Sequence, residues 1–337
     1  MPLEINQIHQ GDSRKLLKEI DANSIDLSVW SPPYYVGKDY ERYLESYQDW
    51  VNLLSAVIAE HDRILKPGGF MVINIADILV FKDEEIPRFQ ALNITKQRSA
   101  ITREDVLAAK ENNPTFSRYQ LAELLGTSEQ TIDRRLNGNN IRGGKYNTQT
   151  RVKLVGDVVS DAAHAARLYL YDRRIWAKDA AWENSKWTSL SYRSVDEFEY
   201  IYIFWKPGET VVDRRRLTGD EWKEWGSRGI WRFPSVRAND DHEAKFPLEL
   251  PTRVIKLLTN PGDTVLDCFM GSGTTAVAAT NLNRNFIGLE LLPEYVALSR
   301  RNVAAAVQRG HGLLRQDKDL RLSSERTEEA AAVGLFD

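Results

Sequence analysis

Asp267-Cys268-Phe269-Met270-Gly271-Ser272-Gly273-Thr274-Thr275 is the stretch that decides the fold of this 337-residue chain. An apolar run at 264–268 reads as a strand, and residues 274–282 read as a helix. The glycines between them let a ligand approach the backbone closely at the start of a helix. A second strand is expected at 286–289, ending at Glu290, which lies nineteen residues after Gly271. An acid in that place can accept hydrogen bonds from ribose hydroxyls. The second half of a dinucleotide fingerprint is absent, because Thr274 and Thr275 stand where it would continue. A lone Gly-x-Gly is also an ordinary turn, so the signal is the whole nonapeptide together with its spaced acid.

The same rhythm extends outward. Residues 4–8 read as a strand ending at Gly11-Asp12-Ser13, with Ser13 as the cap of a helix running to 20. The run 25–30 (IDLSVW) is nearly continuous in apolar residues, as in a strand buried on both faces. It stops at Ser31-Pro32-Pro33-Tyr34, where two prolines forbid further ladder bonding. Helical spacing over 50–65, a turn at Lys66-Pro67-Gly68-Gly69 and a strand at 70–75 complete a strand–helix–strand unit. The pattern resumes with a helix over 156–169, an aromatic strand over 198–205 and a helix over 293–307. The fold class expected is α/β: a Rossmann-like, mostly parallel sheet with helices on both faces.

Composition narrows the class. A hydrophobic fraction of 42% supports a proper core. Lys plus Arg number 45 against 48 Asp plus Glu, a net charge of −3, so any basic surface must be local. One cysteine excludes a disulfide scaffold and a thiolate zinc site. The five histidines (His9, His61, His164, His242, His311) lack metal-ligand spacing, and no metal is expected. No basic-then-apolar leader opens the chain, and no apolar run approaches the roughly 18–20 residues of a membrane span. The expectation is a soluble, cytoplasmic protein.

Between 81 and 154 the chain turns polar, with few strand-like runs, and reads as an insertion. Within it, 118–137 suggests two short helices around a tight turn. Gly126 supplies the positive φ, Ser128 the N-cap of the second helix, and Ile132 and Leu136 its inward face. This is a helix-turn-helix-like pattern, which ordinary helical hairpins share. If it binds DNA, Gln130 and Arg134 would face the major groove, with Asn137 beside them. Arg134, Arg135, Arg142, Lys145, Arg151 and Lys153 form a basic, glycine-rich, loop-like stretch suited to phosphate contact or to plain solvation. The region 170–240 is rich in Trp and Arg. It is a second place where target recognition could lie, although such aromatics are more often core.

By physics alone, Ser31-Pro32-Pro33-Tyr34 is a rigid turn presenting a hydroxyl, a free carbonyl and an aromatic ring. Ser31 and the Pro33 carbonyl can accept from an exocyclic amine, and Tyr34 can stack on a base. A plain proline turn with a buried tyrosine is the other reading. The early Ser-Pro-Pro-Tyr and the late Asp-x-Phe-x-Gly-Ser-Gly-Thr-Thr together resemble the amino-group DNA methyltransferases that use S-adenosylmethionine. The order is the permuted, beta arrangement: catalytic motif first, recognition insert in the middle, cofactor loop last. The resemblance covers 4–80 and roughly 155–307. It implies a catalytic domain formed by 1–80 and 155–310, a helical DNA-recognition module at 81–154 and a flexible tail at 311–337.

The resemblance also distributes roles. Ser31, Pro32, Pro33 and Tyr34 are the catalytic turn. Asp12 and Ser13, Asp267, Phe269, Gly271, Ser272, Gly273, Thr274, Thr275 and Glu290 bind the cofactor. Phe246 lies in a segment, 242–251, that closes over it. Adenine-N6 members usually carry Asp or Asn at the first position of the tetrapeptide and cytosine-N4 members Ser, so Ser31 points to N4 of cytosine. Carbon-5 methylation would need a thiolate nucleophile, and Cys268, the one thiol, belongs to the cofactor-loop strand. The expected partner is double-stranded DNA, with a cognate restriction endonuclease acting separately and the chain itself a monomer or homodimer. N6-adenine methylation, RNA methylation and a non-catalytic regulator sensing a nucleotide-like ligand are the rival readings.

Overall fold

Strand Ile25–Trp30 (β2) is buried along nearly its whole length, as its unbroken apolar run requires. In this computed structural model the described residues are 2–36, 41, 43–78, 89–93, 100–137, 144–148, 152–179, 194, 196–236 and 247–308. Strands 89–93 and 144–148, Gln130 and Asn137 are described by backbone alone. Phe246, Arg142 and the tail from 309 onward lie outside the described residues. The chain divides into two compact units, one of Met1–Ile78, Lys153–Trp187 and Val195–Asp337, the other of Leu79–Val152 and Thr188–Ser194.

The first unit carries an eight-stranded sheet. Its strands are β1 (Gln7–Gln10), β2, β3 (Leu65–Ile75), β6 (Tyr169–Ala177), β7 (Phe198–Trp205), β8 (Ile230–Arg232), β9 (Thr264–Asp267) and β10 (Asn285–Glu290). The spatial order is β1-β10-β9-β2-β3-β7-β6-β8. Only β7 runs against its neighbours β3 and β6 within this sheet; the remaining pairings are parallel. The Tyr47–Ile64 and Gly156–Ala165 helices pack together, and the Glu249–Leu258 helix packs on the Thr274–Asn281 helix and on β2. Helices therefore cover both faces, as the alternating pattern predicts.

The Tyr47–Ile64 helix shows how the sequence builds this layer. Ser46 and Asp49 form a reciprocal capping box, so the helix starts three residues before the apolar spacing alone suggests. Trp50, Leu53, Leu54, Val57, Ile58 and Ile64 share its buried face. Each full burial of this kind contributes roughly 1.5–3 kcal/mol. His61 also lies in that face. Its Nδ1 pairs with the Val57 carbonyl and its Nε2 with Ser28 Oγ, and burial pushes its pKa down to about 4.

Several expected boundaries move. The first strand is 7–10 rather than 4–8, because Asn6 takes a positive φ of 60° and bonds across to β10. Asp12, not Ser13, caps the short Ser13–Leu16 helix, its carboxylate accepting from Arg14 N. Lys66-Pro67-Gly68-Gly69 is a bulge inside β3 rather than a turn before it. Gly68 has φ 83° there, and a Cβ would meet the Glu209 carbonyl at 2.0 Å. The 156–169 helix stops at Ala165, and Tyr169 already begins β6, a strand the sequence reading did not include. Arg167, with φ 55°, turns the chain between them.

Among its described residues the second unit holds three helices, Arg103–Asn112, Arg118–Leu124 and Glu129–Asn137. The last two form the expected hairpin around Gly126, whose φ is 60°. Ser128 Oγ accepts from Thr131 N at the start of the third. The first helix is an addition; its Val106 and Ala109 pack with Leu121, Ala122 and Ile132 in a small core of their own. Thr102–Asp105 and Ser117–Gln120 capping boxes open the first two helices. The basic stretch is not wholly loop: residues Gly144–Thr148 form β5, paired antiparallel with β4, Phe89–Asn93.

Candidate active site

Four parallel strands bring four motif segments to one edge of the sheet. Gln10 at the end of β1 pairs with Glu290 at the end of β10. Gly288 pairs with Asp267 at the end of β9, and Leu266 pairs with Ser28 in β2. From β9 the chain proceeds to β10 on one side, and from β2 to β3 on the other. The gap beyond β9 and β2 is thus a topological switch point, where open α/β sheets bind ligands. A cavity of about 360 Å³ lies there. Asp12, Ser13, Ser31, Pro33, Phe269, Gly271, Ser272, Thr274 and Glu290 all line it.

The loop after β9 is fixed from behind. Gly271 and Gly273 take φ of 52° and 87°, in the left-handed region that favours glycine. A Cβ on Gly273 would lie 2.8 Å from Ser299 Cβ, so the close approach of the final helix, residues 293–308, also demands glycine. Asp267 is fully buried and accepts from Thr275 Oγ1 at 2.6 Å and from Phe269 N at 2.9 Å. Burial raises its pKa to about 7, the two hydrogen bonds opposing and nearby Glu290 assisting. Asp267, Gly273 and Thr275 thus shape the loop from outside the cavity lining, whereas Phe269, Gly271, Ser272 and Thr274 line it.

Two carboxylates stand in the cavity wall. Glu290 Oε2 accepts from Gly271 N at 2.8 Å and Oε1 from Leu292 N at 2.9 Å. Burial raises its pKa, against the pull of those backbone N–H groups. A carboxylate has about four acceptor sites, so the two bonds orient Glu290 and leave capacity for a ligand. Asp12 is held by Arg14, whose hydrogen bond lowers its pKa. Ser13 Oγ donates to the Cys268 carbonyl and ties the β1 turn to the β9 loop.

On the other side of the cavity stands the proline turn. Ser31 Oγ donates to the Tyr34 hydroxyl at 3.0 Å, and that hydroxyl donates to Glu199 Oε2 at 2.7 Å. The Pro33 carbonyl already accepts from Trp50 Nε1 at 2.6 Å. One of its lone pairs is engaged, so an amine would have to use the other. Cys268 is buried with its pKa raised well above the ordinary thiol value by burial. It is a small packed residue rather than a nucleophile.

Arg14, Tyr43, Leu53, Leu291, Leu292 and Tyr295 also line the cavity, and the sequence reading did not name them as site residues. Leu291, Leu292 and Tyr295 follow Glu290 directly into the final helix, so the strand–acid–helix spacing could have found them. Tyr43 stands in an irregular segment with no periodic signal. In the second unit, Arg134 lies in the last turn of the Glu129–Asn137 helix. Arg135 Nε donates to the Ile101 carbonyl at 2.9 Å, within its own unit.

The fit to S-adenosylmethionine is chemical. A side-chain-free bend at Gly271 admits close approach, two carboxylates suit hydroxyl and cationic groups, and Phe269, Leu291 and Leu292 offer apolar contact. A cavity so built, at the switch point of such a sheet and facing a proline turn, fits an S-adenosylmethionine-dependent methyltransferase. Comparison with known proteins gives the family. Residues 25–301 match the model of the N6/N4 methyltransferase family, described as DNA methylase, and the chain belongs to it. It is 64% identical over 301 residues to the type II methyltransferase M.BglI of Bacillus subtilis, covering 89% of this chain and 86% of that one. It is 26% identical to M.Cfr9I of Citrobacter freundii, covering 88% of each. Among solved structures, TTHA0409 of Thermus thermophilus, complexed with S-adenosyl-L-methionine, superposes with a TM-score of 0.56 at 24% identity, over 89% of this chain and 94% of that one. The PvuII cytosine-N4-specific DNA methyltransferase superposes at 0.52 and 18% identity, over 91% and 93%. Among the described residues, no helix is long and apolar enough to cross a membrane.

Proposed function

We propose that this chain transfers a methyl group from S-adenosylmethionine to the exocyclic N4 amine of cytosine in double-stranded DNA. The observation that carries the reading is that Ser31 and the 269–272 loop line one cavity. Ser31 stands where other members of the family usually carry Asp or Asn for adenine and Ser for cytosine. The permuted order places the catalytic turn in the 1–80 segment and the cofactor loop in 155–310, together one catalytic domain.

When bound, the cofactor supplies an electrophilic methyl group on a sulfonium. The chain's own residues then have three tasks. Glu290, Asp12 and the Gly271 bend hold and orient the donor. Tyr34 offers a ring face for the target base, which must leave the duplex to reach the cavity. Ser31 and the Pro33 carbonyl, through the lone pair that Trp50 leaves, accept the two amine hydrogens. The amine lone pair is delocalised into the ring, and these bonds favour a pyramidal nitrogen whose lone pair points at the methyl carbon. Positioning and polarisation, not strong proton abstraction, are the work of Ser31.

The 81–154 segment is the DNA-reading module. Gln130 and Arg134, on the second helix of the hairpin, are assigned to the major groove, and Arg135, Arg142 and Lys145 to phosphate. Identity of 64% with a type II methyltransferase supports a restriction–modification role, with a separate endonuclease as the companion. Incubation with DNA and labelled donor, followed by nucleoside analysis, tests the reading. N4-methylcytosine is expected; N6-methyladenine alone would refute the base assignment.

A further inference from the structure

The catalytic turn is wired to an ion pair outside the cavity lining. Beyond Ser31 and Tyr34, Glu199 sits on β7 and is 8% exposed. One of its oxygens accepts from Tyr34 at 2.7 Å and the other from Lys178 Nζ at 2.8 Å. Lys178 also pairs with Asp196 at 3.0 Å. Burial works against the charge of Lys178, but the two carboxylates outweigh it and raise its pKa. A buried carboxylate is costly unless paired, so the lysine keeps an anion at the end of this chain of hydroxyls. The Asn74 main-chain carbonyl, 3.2 Å from the Tyr34 hydroxyl, and the Asn74 Oδ1, at 3.5 Å, are competing acceptors, but both are farther away and uncharged.

A serine hydroxyl has one hydrogen and two lone pairs. Facing a base unaided, it can donate to a ring nitrogen as readily as accept from an amine. Here the anion removes the ambiguity. The Tyr34 hydrogen is drawn to Glu199, the Tyr34 oxygen then takes the Ser31 hydrogen, and the lone pairs of Ser31 are left for the cavity. We propose that the Lys178–Glu199 ion pair, acting through Tyr34, fixes the direction of the Ser31 hydroxyl so that it serves as an acceptor for the target amine. A neutral serine thereby gains the acceptor-only character that an ionised aspartate has by itself. Glu199 is a positioning residue for methyl transfer, and its assignment rests on the reading of Ser31 given above.

The test is single-turnover methylation by the full chain, with tritiated S-adenosylmethionine and DNA in which the wild type deposits label. Glu199→Gln keeps the volume, removes the charge and offers Tyr34 an N–H donor, which reverses the chain. The expected result is a rate loss of about 10- to 100-fold, with affinity for S-adenosylhomocysteine within about twofold of the wild type. Placed in a Ser31→Ala background, the same change has no further effect, because Glu199 acts through the missing hydroxyl. An equal loss in that background would mean that the ion pair merely packs Tyr34, and it would overturn the proposal. So would a wild-type rate for Glu199→Gln. Should Glu199→Gln melt, Tyr34→Phe cuts the same link without touching the ion pair, and a wild-type rate there overturns the proposal equally. A wild type that methylates no DNA defeats the underlying reading. A normal Glu199→Gln beside a crippled Ser31→Ala defeats this inference alone.

Discussion

The Thr275 hydroxyl donates to the buried Asp267 carboxylate at 2.6 Å, joining the last residue of β9 to the first turn of the helix that follows. This bond, with Phe269 N on the other oxygen, sets the loop that bends around the cavity. Asp267 has a folded-state pKa of about 7, above its ordinary 3.8. The sign follows: the folded state prefers the protonated acid. Its contribution to stability is fully present below 3.8 and is lost as pH rises through about 7. Asp267→Asn is neutral at every pH. Thermal melting from pH 5.5 to 8.5 should show the variant gaining on the wild type as pH rises, by about 2–4 °C for each kcal/mol regained. Parallel melting curves would show that Asp267 does not titrate there.

Gly273 takes φ 87° and packs against Ser299. Gly273→Ala puts a Cβ 2.8 Å from Ser299 Cβ as well as in a disfavoured conformation. A loss of about 1–3 kcal/mol in urea unfolding is expected, with weaker donor binding. Gly126→Ala has the same left-handed φ but nothing within 4 Å of the new Cβ, so its cost is conformational alone, about 1 kcal/mol.

Glu290 anchors Gly271 N and Leu292 N with separate oxygens. Glu290→Gln retains one acceptor and turns an N–H₂ toward a backbone N–H, leaving a donor unsatisfied. Calorimetric titration with S-adenosylhomocysteine should show affinity falling by roughly tenfold or more. Unchanged affinity would remove Glu290 from the cofactor site.

The three helices of the insert share a core in which Ile132 is fully buried. Ile132→Ala should cost about 2–5 kcal/mol locally, and DNA binding should weaken while donor binding is kept. Gel-shift measurement over a salt series, beside calorimetry with S-adenosylhomocysteine, separates the two effects. Equal loss of both would deny the insert a role of its own in DNA recognition.

The sheet was legible because its strands carry unmistakable apolar runs: Ile25–Trp30 and Phe198–Trp205 lie where the sequence puts them. Tyr169–Ala177 was not, because its exposed face and its Asp172, Arg173 and Arg174 break the apolar pattern. Arg103–Asn112 escaped for a related reason: Val106 and Ala109 are too few to mark an amphipathic face. At the site, Gly271, Glu290 and Ser31 announce themselves by residue type and spacing. Trp50 on the Pro33 carbonyl and Glu199 behind Tyr34 do not, since each contact joins elements far apart in sequence. A tertiary hydrogen bond leaves no local signature, and the wiring of the proline turn could be read only from the folded chain.

The most direct measurement is mass spectrometry of nucleosides from DNA treated with the purified chain and deuterated-methyl S-adenosylmethionine. Labelled N4-methylcytosine is expected with wild-type protein and almost none with Ser31→Ala, whose donor affinity is unchanged. Labelled N6-methyladenine alone, or full labelling by Ser31→Ala, would contradict this expectation.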